Sequence, residues 1–494
     1  MTPMATEPVL ALDDIQGNSV VGFRKGNQSF AFLRVDAGDG AADRARSWLR
    51  GLGPQLSDAR QVLEHNRTFR AARQGEAVAA ATLGAAAPVV WVNVALAAAC
   101  LVRFGLDVRE FDDDGFRVGL AKRSPLLNDP ADPASSGHPG QWQVGGSNPC
   151  DAVVIAASDE RDACLARLDA LVTEATGSGW VLVHRIDGAD LPGDLKGHEH
   201  FGFRDGISMP VVRGRASDAA DDFVAPRGAG TAAPGFARAG QQLLWPGQVL
   251  LGQPRQDPRD PGATIQPTGP AGPAWSTNGS YLVIRKLTQD VEGFWRFVRR
   301  HAPKVDTDPV RFASMLVGRW PSGAPLSLSP HADDPGLATD GDRVNDFAFG
   351  DDGSGVRCPL AAHVRKVNPR DITTEQGGAN DTFTRQFLRR GIPFTEPDGR
   401  GLLFAAYMSS IVEQFEFVQR TWTNSDELPE HGSGHDLIIG QRQEGDARAR
   451  RITLTDASGK AVTVRTLQDF VTPVGGEYFL APPISAFADP LGRP

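Results

Sequence analysis

Short runs of β-branched and aromatic residues alternate along this chain with stretches of helical spacing, and three long tracts dense in glycine and proline interrupt the alternation. That pattern narrows the fold most. In the first part, the spacing predicts strands over 30–35, 89–96, 152–156 and 180–184. It predicts helices between them over 42–52, 97–104 and 159–174. The last helix is the clearest, because Cys164, Leu165, Leu168, Leu171 and Val172 recur at i, i+1, i+4, i+7 and i+8. A second set follows, with strands over 248–251, 281–287 and 401–407, helices over 288–301 and 408–422, and a hairpin joining 452–454 to 462–464. Val291, Phe294, Trp295 and Val298 make the stripe of the first of those helices. Such an order implies an α+β architecture in two halves of similar element order, with helices covering one sheet face. The tracts over 213–240, 252–279 and 321–359 are longer than connections need to be, which is common where loops build or cover a functional site.

Composition sets outer limits. Apolar residues are 40% of the 494 and charged residues 22%, which excludes wholesale disorder. A net charge of -9 makes a poor general binder of nucleic acid or of an anionic membrane. No stretch has the unbroken apolar length to span a bilayer, and residues 1–12 lack the basic-then-apolar profile of a signal peptide. The expectation is a cytoplasmic protein with no nucleic-acid or membrane partner. Cys100, Cys150, Cys164 and Cys358 include no C-x-x-C, which excludes a clustered zinc or iron–sulfur site, and they are expected to be buried free thiols. There is no P-loop, no G-x-S-x-G elbow and no H-E-x-x-H, and the glycine-rich piece at 228–235 does not match a dinucleotide fingerprint.

Two segments carry chemistry. In Gly202-Phe-Arg-Asp205-Gly206 a carboxylate is flanked by glycines and phenylalanines. The glycines allow a tight backbone path and close approach of a flat ligand. Apolar neighbours would strip water from Asp205, raise its pKa and suit it to proton shuttling. The plainer reading is an Asx-turn that only fixes a loop. The second segment runs Cys358-Pro-Leu-Ala-Ala-His363-Val-Arg365-Lys366-Val-Asn-Pro-Arg370. His363 offers a neutral imidazole nitrogen to a metal, and Arg365, Lys366 and Arg370 offer partners for the carboxylates of a planar anionic ligand. The plainer reading is a buried histidine beside a solvated basic run. His198 and His200 would make a metal pair only if both faced one side of a strand.

Taken in order, these segments resemble the dye-decolourising peroxidases, a family of haem b enzymes. The resemblance covers nearly the whole chain, from Asp14-Ile-Gln-Gly-Asn18 through Asn278-Gly-Ser-Tyr-Leu-Val-Ile-Arg-Lys-Leu287, Arg389-Arg-Gly-Ile-Pro393 and Gly401-Leu-Leu-Phe404 to Gly476-Glu-Tyr-Phe479 and Pro483-Ile-Ser-Ala486. The long loops suggest the larger subgroup found in fungi and some bacteria. The resemblance implies two ferredoxin-like domains with antiparallel sheets covered by helices, over 1–215 and 216–494, with haem held between sheet and helices mainly in the second. It implies His363 as proximal iron ligand, Asp205 as distal acid and base, and Arg389, rather than its neighbour Arg390, as the distal arginine. Phe203, Gly206, Ile207, Arg365, Leu402 and Phe404 are expected around the cofactor, and Asp436 behind His363. Met209 stands where the resemblance leads one to expect Gln. Leu437 replaces an expected Pro after Asp436, and the adjacent His435 competes with Asp436 as partner of His363. The implied activity is oxidation of dyes and phenolic or other bulky organic reductants by hydrogen peroxide through a ferryl intermediate, with an acidic pH optimum. A haem-handling protein without turnover is the alternative on the same fold, a non-catalytic binding protein is a third reading, and a homo-oligomer is left open.

Overall fold

The structure, a computed structural model, describes residues 7–493 apart from 76–78, 80–87, 228–235, 258–259, 265–271, 442–448 and 457. The glycine-rich piece at 228–235 therefore lies outside the described residues. The first half runs β1 (Asn27–Val35), α1 (Ala41–Leu52), α2 (Ala59–Arg73), β2 (Trp91–Ala97), β3 (Ala152–Ser158), α3 (Arg161–Thr176) and β4 (Trp180–Ala189). The second runs β5 (Ser280–Gln289), α4 (Val291–His301), α5 (Pro309–Val317), α6 (His363–Val367), β6 (Leu388–Arg389), β7 (Ile392–Glu396) and β8 (Gly399–Met408). It ends with α7 over 411–423, the hairpin β9 (Arg450–Thr455) and β10 (Ala461–Thr466), and β11 (Val471–Ala481).

All pairings of the main sheet are antiparallel. The first half is ordered β4–β1–β3–β2 and the second β11–β5–β8–β7, so each half places its strands fourth, first, third, second. The half-sheets meet at two narrow seams. At one, Phe394 of β7 pairs with Gly188 of β4; at the other, Phe479 and Leu480 of β11 pair with Ala97 and Leu96 of β2. The result is one closed barrel of eight strands, with β6 continuing along β8.

Alternation along the strands explains the closure. Phe32, Ile155, Ile284, Leu403 and Phe479 come from five different strands and pack in one cluster inside the barrel. Their neighbours Leu33 and Val154 point the other way and meet Leu49 of α1 and Leu168 of α3. Both faces are thus buried, and burial of each such side chain contributes about 1.5–3 kcal/mol. The α3 stripe is as expected, with Cys164, Leu168 and Leu171 buried. On α4 the buried residues are Phe294, Phe297, Val298 and His301, so the stripe sits slightly round from the expected one.

Three elements differ from expectation. Residues 248–251 are not a strand. Val249 and Leu250 both donate to the Pro246 carbonyl, which winds the segment into a helical turn after Pro246–Gln248. Helix α7 starts at Ile411 rather than 408, because Met408 still pairs with Tyr281 in the sheet and Ser410 caps the helix by accepting from Glu413 N. It is wound in the wide π form, recorded as Ile411–Glu416 and Val418–Thr423. Helix α2 went unread because only Ala59, Val62 and Leu63 of it are buried, which leaves too weak a stripe. Among the described residues, no helix is long and apolar enough to cross a membrane.

Candidate active site

A cavity opens between the β5 and β8 face of the second half, helix α6 and the loop over 199–210 that leaves the first half. An adjoining, smaller one runs toward α7. Asp205, Leu287, His363, Arg389 and Leu402 line both. Leu402 and Leu287 are register partners across β8 and β5, which puts two apolar side chains at the cavity floor.

His363 is the first residue of α6, and its side chain is 26% exposed. Its Nδ1–H donates to Asp436 Oδ2 at 2.8 Å, which leaves the Nε2 lone pair free. Asp436 is fully buried, and its Oδ1 accepts from the backbone N–H of Ile438 and Ile439 at 2.8 and 3.1 Å. Burial alone would push its pKa up, but the imidazole and these N–H donors outweigh burial and hold it below the ordinary value. His435 does not compete, because its Nδ1 accepts from Arg451 N at 3.2 Å. Leu437 is buried in the same cluster as Ala362, the residue before His363.

Asp205 lies in the loop whose Gly202 and Gly206 take φ of +96° and +75°, left-handed conformations that glycine adopts without strain. Its Oδ1 accepts from Gly206 N at 2.6 Å and stands 3.8 Å from Arg389 Nη2. This contact to the next residue is not an Asx-turn, which would take the N–H of Ile207, and the carboxylate faces the cavity. The expected loss of water around it is not found, since the Asp205 side chain is 44% exposed. Arg389 sits on β6, and its backbone N–H donates to Met209 Sδ at 3.2 Å. Arg390 points away: its Nε donates to Asn18 O at 2.8 Å and its Nη1 to Arg389 O at 2.9 Å.

Phe203, Gly206 and Ile207 line the larger cavity, and Phe404 lines the smaller one. Arg365 corrects the expectation, because it is fully buried and lines neither cavity. Its guanidinium forms a bidentate pair with Glu430 at 2.6 Å and donates to the Asp352 and Cys358 carbonyls at 3.0 Å. Lys366 is likewise turned inward onto the carbonyls of Ser425 and Gly434, both at 2.8 Å, and burial pushes its pKa down to about 7. Local sequence could not show which cations of the run face in. Arg370 of the same run does line the cavity, with Arg319 beside it. Burial lowers both, Arg319 to about 9 and Arg370 to about 10, so both stay charged at neutral pH. Sequence reading missed Arg319, which no motif marks, and Glu199, which also lines the cavity. The Glu199 carboxyl accepts from Phe201 N, Phe203 N and Gln289 Nε2, and burial pushes its pKa up to about 7 against these donors. His198 and His200 are not a metal pair. His198 Nδ1 meets the Lys196 carbonyl at 3.2 Å and His200 Nε2 the Phe394 carbonyl at 2.9 Å. Among the described residues, no three His, Cys, Asp or Glu side chains group to hold a metal ion.

Known proteins resemble this chain over nearly its whole length. Residues 14–192 match the family model described as "DyP dimeric alpha+beta barrel domain", and residues 254–433 match "Dyp-type peroxidase, C-terminal". The chain is 32% identical to dye-decolorizing peroxidase msp1 of Mycetinis scorodonius, over 97% of this chain and 87% of that one. It is 28% identical to the multifunctional dye peroxidase DyP2 of an Amycolatopsis strain, over 97% and 96%. Among solved structures, an ancestral D-type dye decolorizing peroxidase superposes with a TM-score of 0.78 at 30% identity, covering 98% of this chain and 99% of that one. With a barrel of two like halves, a cavity between them and these matches over nearly its full length, the chain belongs to the dye-decolorizing peroxidase family and is a peroxidase.

Proposed function

We propose that the cavity holds haem b and that the protein uses hydrogen peroxide to oxidise dyes and phenolic or other bulky organic reductants. The observation that carries this is the sharing of one cavity by His363, Asp205 and Arg389. The donor set fits a porphyrin. A single imidazole with a free Nε2 would hold the iron, and the rest of the cavity would leave room for peroxide. Leu287, Leu402 and Phe404 offer apolar walls, and Arg319 and Arg370 offer charge to the propionates. Bound there, haem supplies the redox-active iron. On the same reading, residues 1–215 form a domain that contributes the Asp205 loop, and residues 216–494 form the domain that contributes His363 and Arg389.

The protein's own groups then handle protons and charge. Asp205 takes the proton from one peroxide oxygen and returns it to the other. Arg389 places a fixed cation where the departing oxygen gathers negative charge. Asp436 keeps the proton of His363 on Nδ1 and makes the imidazole a stronger electron donor. A stopped-flow spectrum after one equivalent of peroxide tests the assignment. A fast change is expected in the native protein and a slow one in Asp205→Asn and Arg389→Leu. Native peroxide-cleavage rates in both variants would refute these roles.

A further inference from the structure

We propose that Met209 is an oxidation site for the peroxide this protein consumes, and that the added oxygen displaces Arg389. The proposal rests on the role given to Arg389 above. Met209 Sδ accepts the backbone N–H of Arg389 at 3.2 Å. Strand β6 has only two residues, paired on one side to Tyr407 and Ala406, so the sulfur takes the place of a missing ladder partner. A thioether is a weak acceptor, and once it is oxidised the accepting atom becomes the added oxygen, which cannot occupy the position the sulfur holds against this N–H.

Exposure sets Met209 apart. It is half-buried, whereas Met315 is 8% exposed and Met408 0%. Met1 and Met4 lie outside the described residues. The thiols are poorer targets. All four cysteines are buried, and burial raises each above its usual pKa, Cys358 to about 12, so the reactive thiolate is scarce. In the reaction a sulfur lone pair attacks one peroxide oxygen. The O–O bond breaks, an S–O bond forms, and a proton moves to the departing oxygen, which leaves as water. Sulfur is oxidised by two electrons and peroxide is reduced by two. The new oxygen then either projects into the space held by the Arg389 N–H or turns the sulfur aside and leaves that N–H without an acceptor. Both outcomes shift Arg389, whose guanidinium stands 3.8 Å from Asp205. Peroxide in excess would therefore switch off the enzyme that consumes it.

The test treats the full chain with hydrogen peroxide, with and without haem, and follows oxygen uptake by peptide mass spectrometry. Met209 is expected to gain oxygen about tenfold faster than Met315 and Met408. A crystal structure of the oxidised haem-free chain is expected to show the Arg389 guanidinium moved from Asp205. In the haem-loaded protein, dye oxidation is expected to fall with Met209 sulfoxide and to return after methionine sulfoxide reductase. Met209→Gln presents an amide oxygen to the same N–H and takes up no oxygen, so treatment is expected to leave its own starting rate intact. Equal oxidation of Met315 or Met408, complete Met209 sulfoxide with the Arg389–Asp205 distance unchanged, or equal loss of rate in Met209→Gln would each overturn the proposal. The first two readouts need no haem, so they fail separately from the peroxidase reading.

Discussion

On the wall that carries His363, the imidazole is clamped from behind. The imidazole meets a fully buried carboxylate at 2.8 Å, and two backbone N–H groups hold that carboxylate from behind. The wall that carries Asp205 is built otherwise. Its carboxylate is 44% exposed, it sits on a loop between two left-handed glycines, and its cationic neighbour is 3.8 Å away, beyond a direct hydrogen bond. The difference suits the work proposed for each wall. A metal ligand must keep one tautomer and one orientation, so it is clamped. A group that takes a proton and gives it back needs water, room and a neighbour that is close without capturing it.

The largest expected effect comes from breaking the clamped wall. His363→Ala removes the one imidazole in the cavity, and haem added to the variant is expected to lack the spectrum of a histidine-ligated iron, with peroxidase turnover lost. A native spectrum in that variant would move the ligand elsewhere. The open wall is expected to fail in a different way. Asp205→Asn and Arg389→Leu should each bind haem like the native chain yet cleave peroxide about 10²–10³-fold more slowly. Loss of haem binding in either would erase the contrast between the walls.

The same contrast governs what could be read from the sequence. The barrel halves were legible because their central strands are buried on both faces, so β3 reads as a nearly continuous apolar run and β2 as one broken only by Asn93. The segments 202–206 and 358–370 stood out because unlike residue types crowd together there. Closure of the barrel was not legible, since the seam between β4 and β7 is a single residue pair with no local signal. Nor was the inward turn of Arg365. Its partner Glu430 is 65 positions away, and no spacing rule links the two. Glu199 was in view within His198-Glu-His200, but its meaning depends on Gln289 reaching it from β5.

A smaller effect is expected from loosening the clamp without removing it. Asp436→Asn keeps the shape but leaves His363 Nδ1–H with a neutral partner, and a loss of about 10–100-fold in haem affinity or turnover is expected. The carboxylate is held below its ordinary 3.8, so its contribution to stability is present above that value and is lost as the pH falls further. Denaturation midpoints measured below about pH 4 should therefore fall less steeply in the variant than in the native chain. Equal slopes would mean that the pair adds nothing at acidic pH.

The smallest effect belongs to Glu199, which stands between the two designs because it is hydrogen-bonded like the clamped wall but belongs to the loop of the open one. Its folded value is about 7 against an ordinary 4.5, so the folded chain holds a proton that the unfolded chain releases between those values. That contribution is present below 4.5 and disappears as the pH rises through about 7. Gln289 offers an acceptor for the held proton: its Oε1 is buried without a partner, and an amide flip would turn it toward a protonated carboxyl. Glu199→Gln is neutral at every pH and cannot titrate. Between about pH 5 and pH 8 the native chain is expected to lose on the order of 2 kcal/mol more stability than the variant. Parallel melting curves across that range would show that Glu199 is already ionised in the folded protein and belongs with the open wall.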